Sequence, residues 1–305
     1  MSRTVTVGFD GTPESRAAAD WAAREARLRA LPLRIVHVRE PVPEPMAQAP
    51  LPGGETYQQW TERVPGESAE RLRLRHPGVE VVVEQCAGDP VEVLCEAAAS
   101  AEPLVLGSRG LGGIGGFVAG SVGLAVMARA ERPVVAVRAD EPTVGRHGPA
   151  PATGGTPTAP VVLGLDTAGP DETLLRFAFG AAARYGVPLR VVHAWRPPPA
   201  YAYELSAYAY DLAGPGEGAG SVGELEADAL TKVLQPWRQS FPGVGVVEET
   251  RPGSAARVLV EAAREAGLVV VGKRLRAGRL GTHLGHVAHA VLHHVAAPVA
   301  VVPHT

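Results

Sequence analysis

A chain of 305 residues, 46% hydrophobic and 20% charged, has the composition of a folded globular protein and the length of about two domains of ~100 to 200 residues. A formal charge of -3 and a pI near 6.4, with no basic cluster over most of the chain, argue against nucleic acid as the main partner. No apolar run approaches the ~18 residues of a membrane span, Met1 leads almost directly into a strand pattern, and Cys86 and Cys95 are too few for a disulfide framework or a zinc site, so no membrane, no signal peptide and a reducing cytosol are expected.

Residues 5–10, Val-Thr-Val-Gly-Phe-Asp, read as a short strand that contains Gly8, ends on Asp10 and turns at Gly11. Thr12 and Pro13 then open a helix, threonine at the N-cap and proline in the first turn, and Ala18, Trp21, Ala22 and Leu28 recur at helical spacing. Residues 34–38 form a second strand, so that Asp10 and Val38 lie side by side at the carboxyl edge of a parallel sheet, where ligands bind in such folds. The alternative for Asp10 is a turn residue that bonds its own loop. His37 reads as a packed or hydrogen-bonded core residue without chemistry. A proline-rich loop from residue 39 passes into a helix ending near Arg75, residues 79–83 give a third strand, and Gly88-Asp89-Pro90 starts a helix over 91–101. Strands and helices alternating in units of ~30 residues mark a parallel sheet covered on both faces.

The chain is organised around residues 104–122. Leu104-Val105-Leu106 suits a strand buried on both faces, and glycines take over where it ends: Gly107, two residues, Gly110, nine residues, then Gly120 and Ser121. Backbone without Cβ atoms can turn sharply and present successive N–H groups to an anion, and a helix starting at Ser121 points its positive end at the same place. Gly110, Gly112 and Gly115 also spell G-x-G-x-x-G, but after the fourth strand rather than the first, and no G-x-x-x-x-G-K-[ST] stretch exists. A helix over 121–130 and a fifth strand over 133–137 complete this half, and the fifth strand needs a partner for its open edge.

Residues 139–160 have the composition of a linker, and residues 161–305 repeat the pattern of the first half. Asp166 stands 156 residues after Asp10 and His193 the same distance after His37, whereas Gly253, Gly272, Gly285 and Pro298 follow Gly88, Gly107, Gly120 and Pro133 by 165. The difference places a net nine-residue insertion between the second and third strands of the second half.

The glycine spacing, ending in glycine-serine, resembles the ATP-binding signature of the universal stress protein family, and the duplication resembles its tandem members. The resemblance implies two tandem doubly wound five-stranded α/β domains of Rossmann-like, adenine-nucleotide-binding type, residues 1–138 and 161–305, with their fifth strands paired antiparallel between domains. It implies ATP as ligand, with Mg as its companion, held by Gly8, Asp10, Val38, Gly107, Ser108, Arg109, Gly110, Gly120, Ser121 and Val122. Gly8, Asp10 and Val38 would approach the adenosine, the valine by its backbone. A homodimer is compatible with it, and the protein partner is left open.

The second half departs from the signature, with Leu275 and His286 where glycine and serine are required, so its site of Gly164, Asp166, Gly272, Lys273, Gly285 and His286 is altered. Lys273, Arg274, Arg276 and Arg279 crowd that loop and could attract an anion by side-chain charge, or form a solvated basic face. Weak ATP binding, another anion and no ligand stay open there. His283-Leu284-Gly285-His286 imitates a nucleotidyltransferase motif by coincidence, and His286, His289 and His293 share a helical face as surface or interface residues. The segment with Tyr201, Tyr203, Tyr208 and Tyr210 reads as a loop packing its own aromatics, with a lid as the alternative. Asp10 is the only acid placed to serve catalysis, and it belongs near the nucleoside, so nucleotide-dependent regulation is expected rather than ATP hydrolysis or phosphoryl or nucleotidyl transfer. A scaffold that has lost its nucleotide is the remaining alternative.

Overall fold

The computed structural model describes residues 3–39, 48–49, 55–108, 121–139, 158–196, 217–275 and 283–305, with 217–221 as backbone only. In the first half these form β1 (Thr4–Gly8), α1 (Pro13–Arg29), β2 (Leu33–Arg39), α2 (Tyr57–Arg75), β3 (Val81–Ala87), α3 (Pro90–Ala99), β4 (Ala101–Ser108), α4 (Ser121–Arg129) and β5 (Val134–Arg138). The second half repeats them as β6 (Val161–Gly164), α5 (Glu172–Tyr185), β7 (Leu189–Trp195), α6 (Glu217–Ser240), β8 (Val246–Pro252), α7 (Ala255–Ala262), β9 (Leu268–Arg274), α8 (His286–His294) and β10 (Val299–His304).

All ten strands join one sheet in the order β3-β2-β1-β4-β5-β10-β9-β6-β7-β8. Every pairing is parallel except the central one, where β10 runs antiparallel to β5 with Val299, Ala300 and Val301 opposite Ala136, Val135 and Val134. Each half is thus doubly wound, and the edge that β5 alone would expose is closed by its counterpart, as expected. Alternation along the strands sends Val5, Val7, Val105 and Val135 to a core shared with α1 and α2, and Leu104, Leu106, Val134 and Ala136 to a core shared with α3 and α4. Each core continues into the second half without a break. No helix among the described residues is long and apolar enough to cross a membrane.

The duplication is visible in single contacts. Arg34 on β2 donates to the Ala97 carbonyl at the end of α3 (2.8 Å) and pairs with Glu84 on β3, while Arg190 on β7 donates to Ala262 O at the end of α7 (3.3 Å) and pairs with Glu249 on β8. The interval from β2 to β3 is nine residues shorter than that from β7 to β8, as the unequal offsets require.

Strand limits differ from expectation in several places. The first strand stops at Gly8 rather than Asp10, because its last rung pairs Gly8 with Val36 and the chain then turns into α1. The third strand runs from Val81 to Ala87 rather than over 79–83, because a full ladder from Leu33↔Val81 to Arg39↔Ala87 holds the polar Glu84 and Gln85 in an edge strand, where their side chains reach solvent. Ala101 belongs to β4, not to the preceding helix, since it pairs with Thr4 of β1. The linker expected over 139–160 lies for the most part outside the described residues.

The two halves are tied together on both faces of the sheet. Over one face, the buried Glu25 of α1 accepts hydrogen bonds from Arg29 (2.6 Å) and from the Tyr185 hydroxyl of α5 (2.8 Å), with Arg184 at 3.3 Å. Burial, and then the neighbouring Glu25 carboxylate, push the Tyr185 phenol well above its ordinary pKa. Over the other face, Lys273 Nζ donates to Ala128 O (3.0 Å) and Ala130 O (2.5 Å) at the end of α4, and Arg138 donates to Leu292 O (2.7 Å) near the end of α8. Each half thus places a cation on carbonyls that the last helical turn of the other half leaves unpaired.

Candidate functional site

The carboxyl ends of β1, β2 and β4 converge in the first half. β1 stops at Gly8, paired with Val36, and the chain turns through Phe9, Asp10 and Gly11 into α1. Asp10 Oδ1 accepts from Thr12 N (3.0 Å) and Thr12 Oγ1 (2.6 Å), and Thr12 Oγ1 accepts from Ser15 N (3.2 Å), so one relay of bonds shapes the turn and caps the helix. Gly11 takes φ +80°, a conformation that strains a side chain, and a Cβ there would lie 3.1–3.2 Å from Trp60 and Val64 of α2. Asp10 is exposed. Val38 lies two residues past the last β1–β2 rung and pairs with Cys86 of β3.

Gly107, next to last in β4, abuts α1. A Cβ at Gly107 would lie 2.7 Å from Glu14 C and Ser15 N, so the absence of a side chain brings the first turn of α1 onto the strand. Gly8 is likewise filled in, by Leu106 and Leu94 at 2.7 and 3.0 Å from where its Cβ would be. Ser108 follows on the opposite face with Leu104 and Leu106. It is 2% exposed, and among the described residues its hydroxyl has no hydrogen-bond partner. Beyond it the chain is next described at Ser121, an exposed residue that opens α4, followed by the half-buried Val122. Arg109, Gly110 and Gly120 lie outside the described residues. The structure therefore brings Gly8, Asp10, Val38, Gly107 and Ser108 to one sheet edge and starts a helix at Ser121.

His37 is a core residue, as expected. It is 4% exposed, and its Nδ1–H donates to Phe9 O at 2.7 Å. His193 repeats that bond to Leu165 O (3.0 Å) and adds Glu226 Oε2 at 3.1 Å, a partner with no counterpart among the described residues of the first half.

The second half repeats some of these contacts and changes others. Asp166 Oδ1 accepts from Ala168 N (3.1 Å), and Gly164 is packed against Leu259, as their counterparts suggest. At Gly272 the space for a Cβ is taken by the His304 imidazole, 2.7 Å away at Nε2, and α5 begins only at Glu172, after its cap Asp171. Gly285 caps α8 without a side-chain bond, and His286 is exposed at the first position of that helix.

Lys273 fits neither reading left open for that basic stretch, an anion-attracting side chain or a solvated face. Both it and Arg274 are in β9, and the Lys273 side chain is 2% exposed with its ammonium on the two α4 carbonyls. Burial lowers its pKa, and Cys95 and Glu131 nearby raise it. Strand alternation puts residue 273 on the α4–α8 face, so its charge is spent inside the molecule. Arg276, Arg279 and the four tyrosines lie outside the described residues. On α8 the rings of His289 and His293 lie tilted at 34° with centroids 4.2 Å apart, and among the described residues no three His, Cys, Asp or Glu side chains gather as a metal would require.

Two doubly wound α/β units joined antiparallel through their fifth strands, each with strand-end glycines and helix starts at its own carboxyl edge, define a tandem Rossmann-like protein. The chain belongs to the universal stress protein family, whose family model matches residues 1–138 and 158–303. A universal stress protein of Mycobacterium tuberculosis is 34% identical to it over 304 residues, 97% of this chain and 96% of the relative. One from Mycolicibacterium smegmatis is 30% identical over 304 residues, 98% and 96% of the two chains. Among solved structures, that of a universal stress protein from Archaeoglobus fulgidus shares the fold with a TM-score of 0.67 at 16% identity, covering 98% of each chain.

Proposed function

We propose that the chain binds ATP at the carboxyl edge of its first half and works as a nucleotide-dependent regulatory module in a stress response, passing its nucleotide state to a protein partner in the cytosol. The first unit would comprise residues 1–138 and the second 161–305, joined by 139–160. The observation that carries the reading is the Ser108 hydroxyl, buried without a partner among the described residues at the strand end where the glycine signature begins. An unmet buried donor costs roughly 1–3 kcal/mol, and a phosphate oxygen is the acceptor this position suits. Gly107, Ser108, Arg109, Gly110, Gly120, Ser121 and Val122 would surround the phosphates, with Gly8, Asp10 and the Val38 backbone toward the nucleoside. A Mg ion accompanying the ATP would be held mainly by phosphate oxygens and water.

Binding rather than turnover is the proposal, because Asp10 Oδ1 already accepts two bonds from Thr12. The second half is proposed to be without ATP. His304, rather than the first turn of a helix, packs on Gly272, Lys273 is engaged elsewhere, and neither Leu275 nor His286 supplies what the signature needs. Calorimetric titration with ATP tests the reading. Ser108→Ala should weaken binding about tenfold or more, the loss of one hydrogen bond to a charged group, while leaving the nucleotide-free protein at least as stable as wild type, since the unmet hydroxyl is removed. Unchanged ATP affinity in both Ser108→Ala and Gly120→Leu would overturn it.

A further inference from the structure

Lys273 stands in the second half at the position Ser108 holds in the first, 165 residues earlier, yet its ammonium reaches across β10 and β5 to the end of α4. We infer that Lys273 is a positioning residue for the phosphate end of the first half, setting from the other half the helix that Ser121 opens. The inference rests on the ATP reading above.

Helix α4 needs such a hold. It has nine residues, fewer than the roughly 12–15 at which an isolated helix becomes marginally stable, and only Val126 and Met127 of it are buried. Gly123 in its first turn adds backbone freedom. The Ala128 and Ala130 carbonyls belong to the end of the helix, whose acceptors have no partner within it, and a cation there also meets the negative pole of the helix dipole. The same geometry binds Lys273, for an ammonium this buried must keep its acceptors.

A helix of this length is about 13 Å long and moves as a rod, so a tilt allowed at Ala130 displaces Ser121 at the other end. The halves would then be coupled in both directions. ATP seated at Ser121 favours the α4 position that Lys273 holds, and the union of the halves favours the ATP-ready position of α4. The reciprocal cation, Arg138 on Leu292 O, holds α8, which in this chain leads to the altered site.

The test compares Lys273→Met, which keeps the stem and removes the charge, with Tyr185→Phe, which cuts a bond between the halves on the opposite face. Amide hydrogen exchange along α4 and calorimetric titration with ATP are measured on the full chain. Lys273→Met should speed exchange at residues 126–130 tenfold or more and weaken ATP binding about fivefold or more, while Tyr185→Phe changes neither. Unchanged α4 exchange in Lys273→Met, or an equal loss of ATP affinity in both variants, would overturn the inference. A wild-type chain without affinity for ATP would instead refute the ATP reading, and with it the link to the phosphate, while the exchange result would still decide whether Lys273 holds α4.

Discussion

At Gly107 a side chain would meet the main chain of α1, not a side-chain tip that could swing aside. Gly107→Ala should therefore cost about 2–3 kcal/mol in chemical denaturation, the upper range for overpacking. Gly8→Ala meets only the terminal methyls of Leu106 and Leu94 and should cost less. Gly107 was legible in the glycine spacing and Gly8 only through the family resemblance, but the packing role of Gly107 was not, because Glu14 lies 93 residues from it and no spacing rule connects them. His76 yields a prediction of a different kind. Its burial, then Arg27, and further Arg24 and Arg75, hold its pKa below the ordinary 6.5, against the opposing pull of Asp20. Between the two values the unfolded chain binds a proton that the folded chain refuses, so this stability is present above about pH 6.5 and lost as pH falls through the folded value. In denaturation curves taken from pH 7.5 to 5, His76→Leu should show a shallower loss of stability than wild type. A slope unchanged by the substitution would contradict this account of the site.

Element by element, the helix starts were the most readable feature. Thr12, Asp89 and Asp171 all cap helices through side-chain oxygens, and the first two were recognisable from the proline that follows. Asp89 Oδ1 accepts from both Val91 N and Glu92 N, so Asp89→Ala should lower the unfolding free energy by about 1 kcal/mol, read from the denaturation midpoint at unchanged slope. Strand ends were harder, because apolar pattern marks where a strand is buried, whereas hydrogen bonding continues past it. β3 runs on through Glu84 and Gln85 by pairing with β2, and β9 through Lys273 and Arg274 by pairing with β10. For this reason the sequence alone makes Lys273 look like a loop cation. A lysine in an apolar strand resembles the end of that strand unless its distant partners are known.

For the whole molecule, the duplication was legible from equal offsets along the sequence and the need to cover β5 from its open edge, whereas the antiparallel union of β5 with β10 came from the family resemblance. The ties across the union were not legible, because Glu25, Arg184 and Tyr185 have no counterpart relation in the repeat and meet only once the fold brings α1 and α5 together. Removing Glu25 would leave the buried Tyr185 hydroxyl and the half-buried Arg184 and Arg29 without their shared acceptor, so Glu25→Ala should destabilise the protein by about 3 kcal/mol. With cores that run unbroken through both halves, the wild-type chain should unfold in a single transition by calorimetry. The same asymmetry that makes one half a clamp for the other sets the number of nucleotides the molecule should hold. Adenine nucleotide released on denaturing the freshly purified protein, measured per chain beside Gly120→Leu, tests the central claim most directly. One ATP per chain, absent from the variant, is the expected result; two per chain would contradict the single site, and none, with no uptake of added ATP, would contradict nucleotide binding itself.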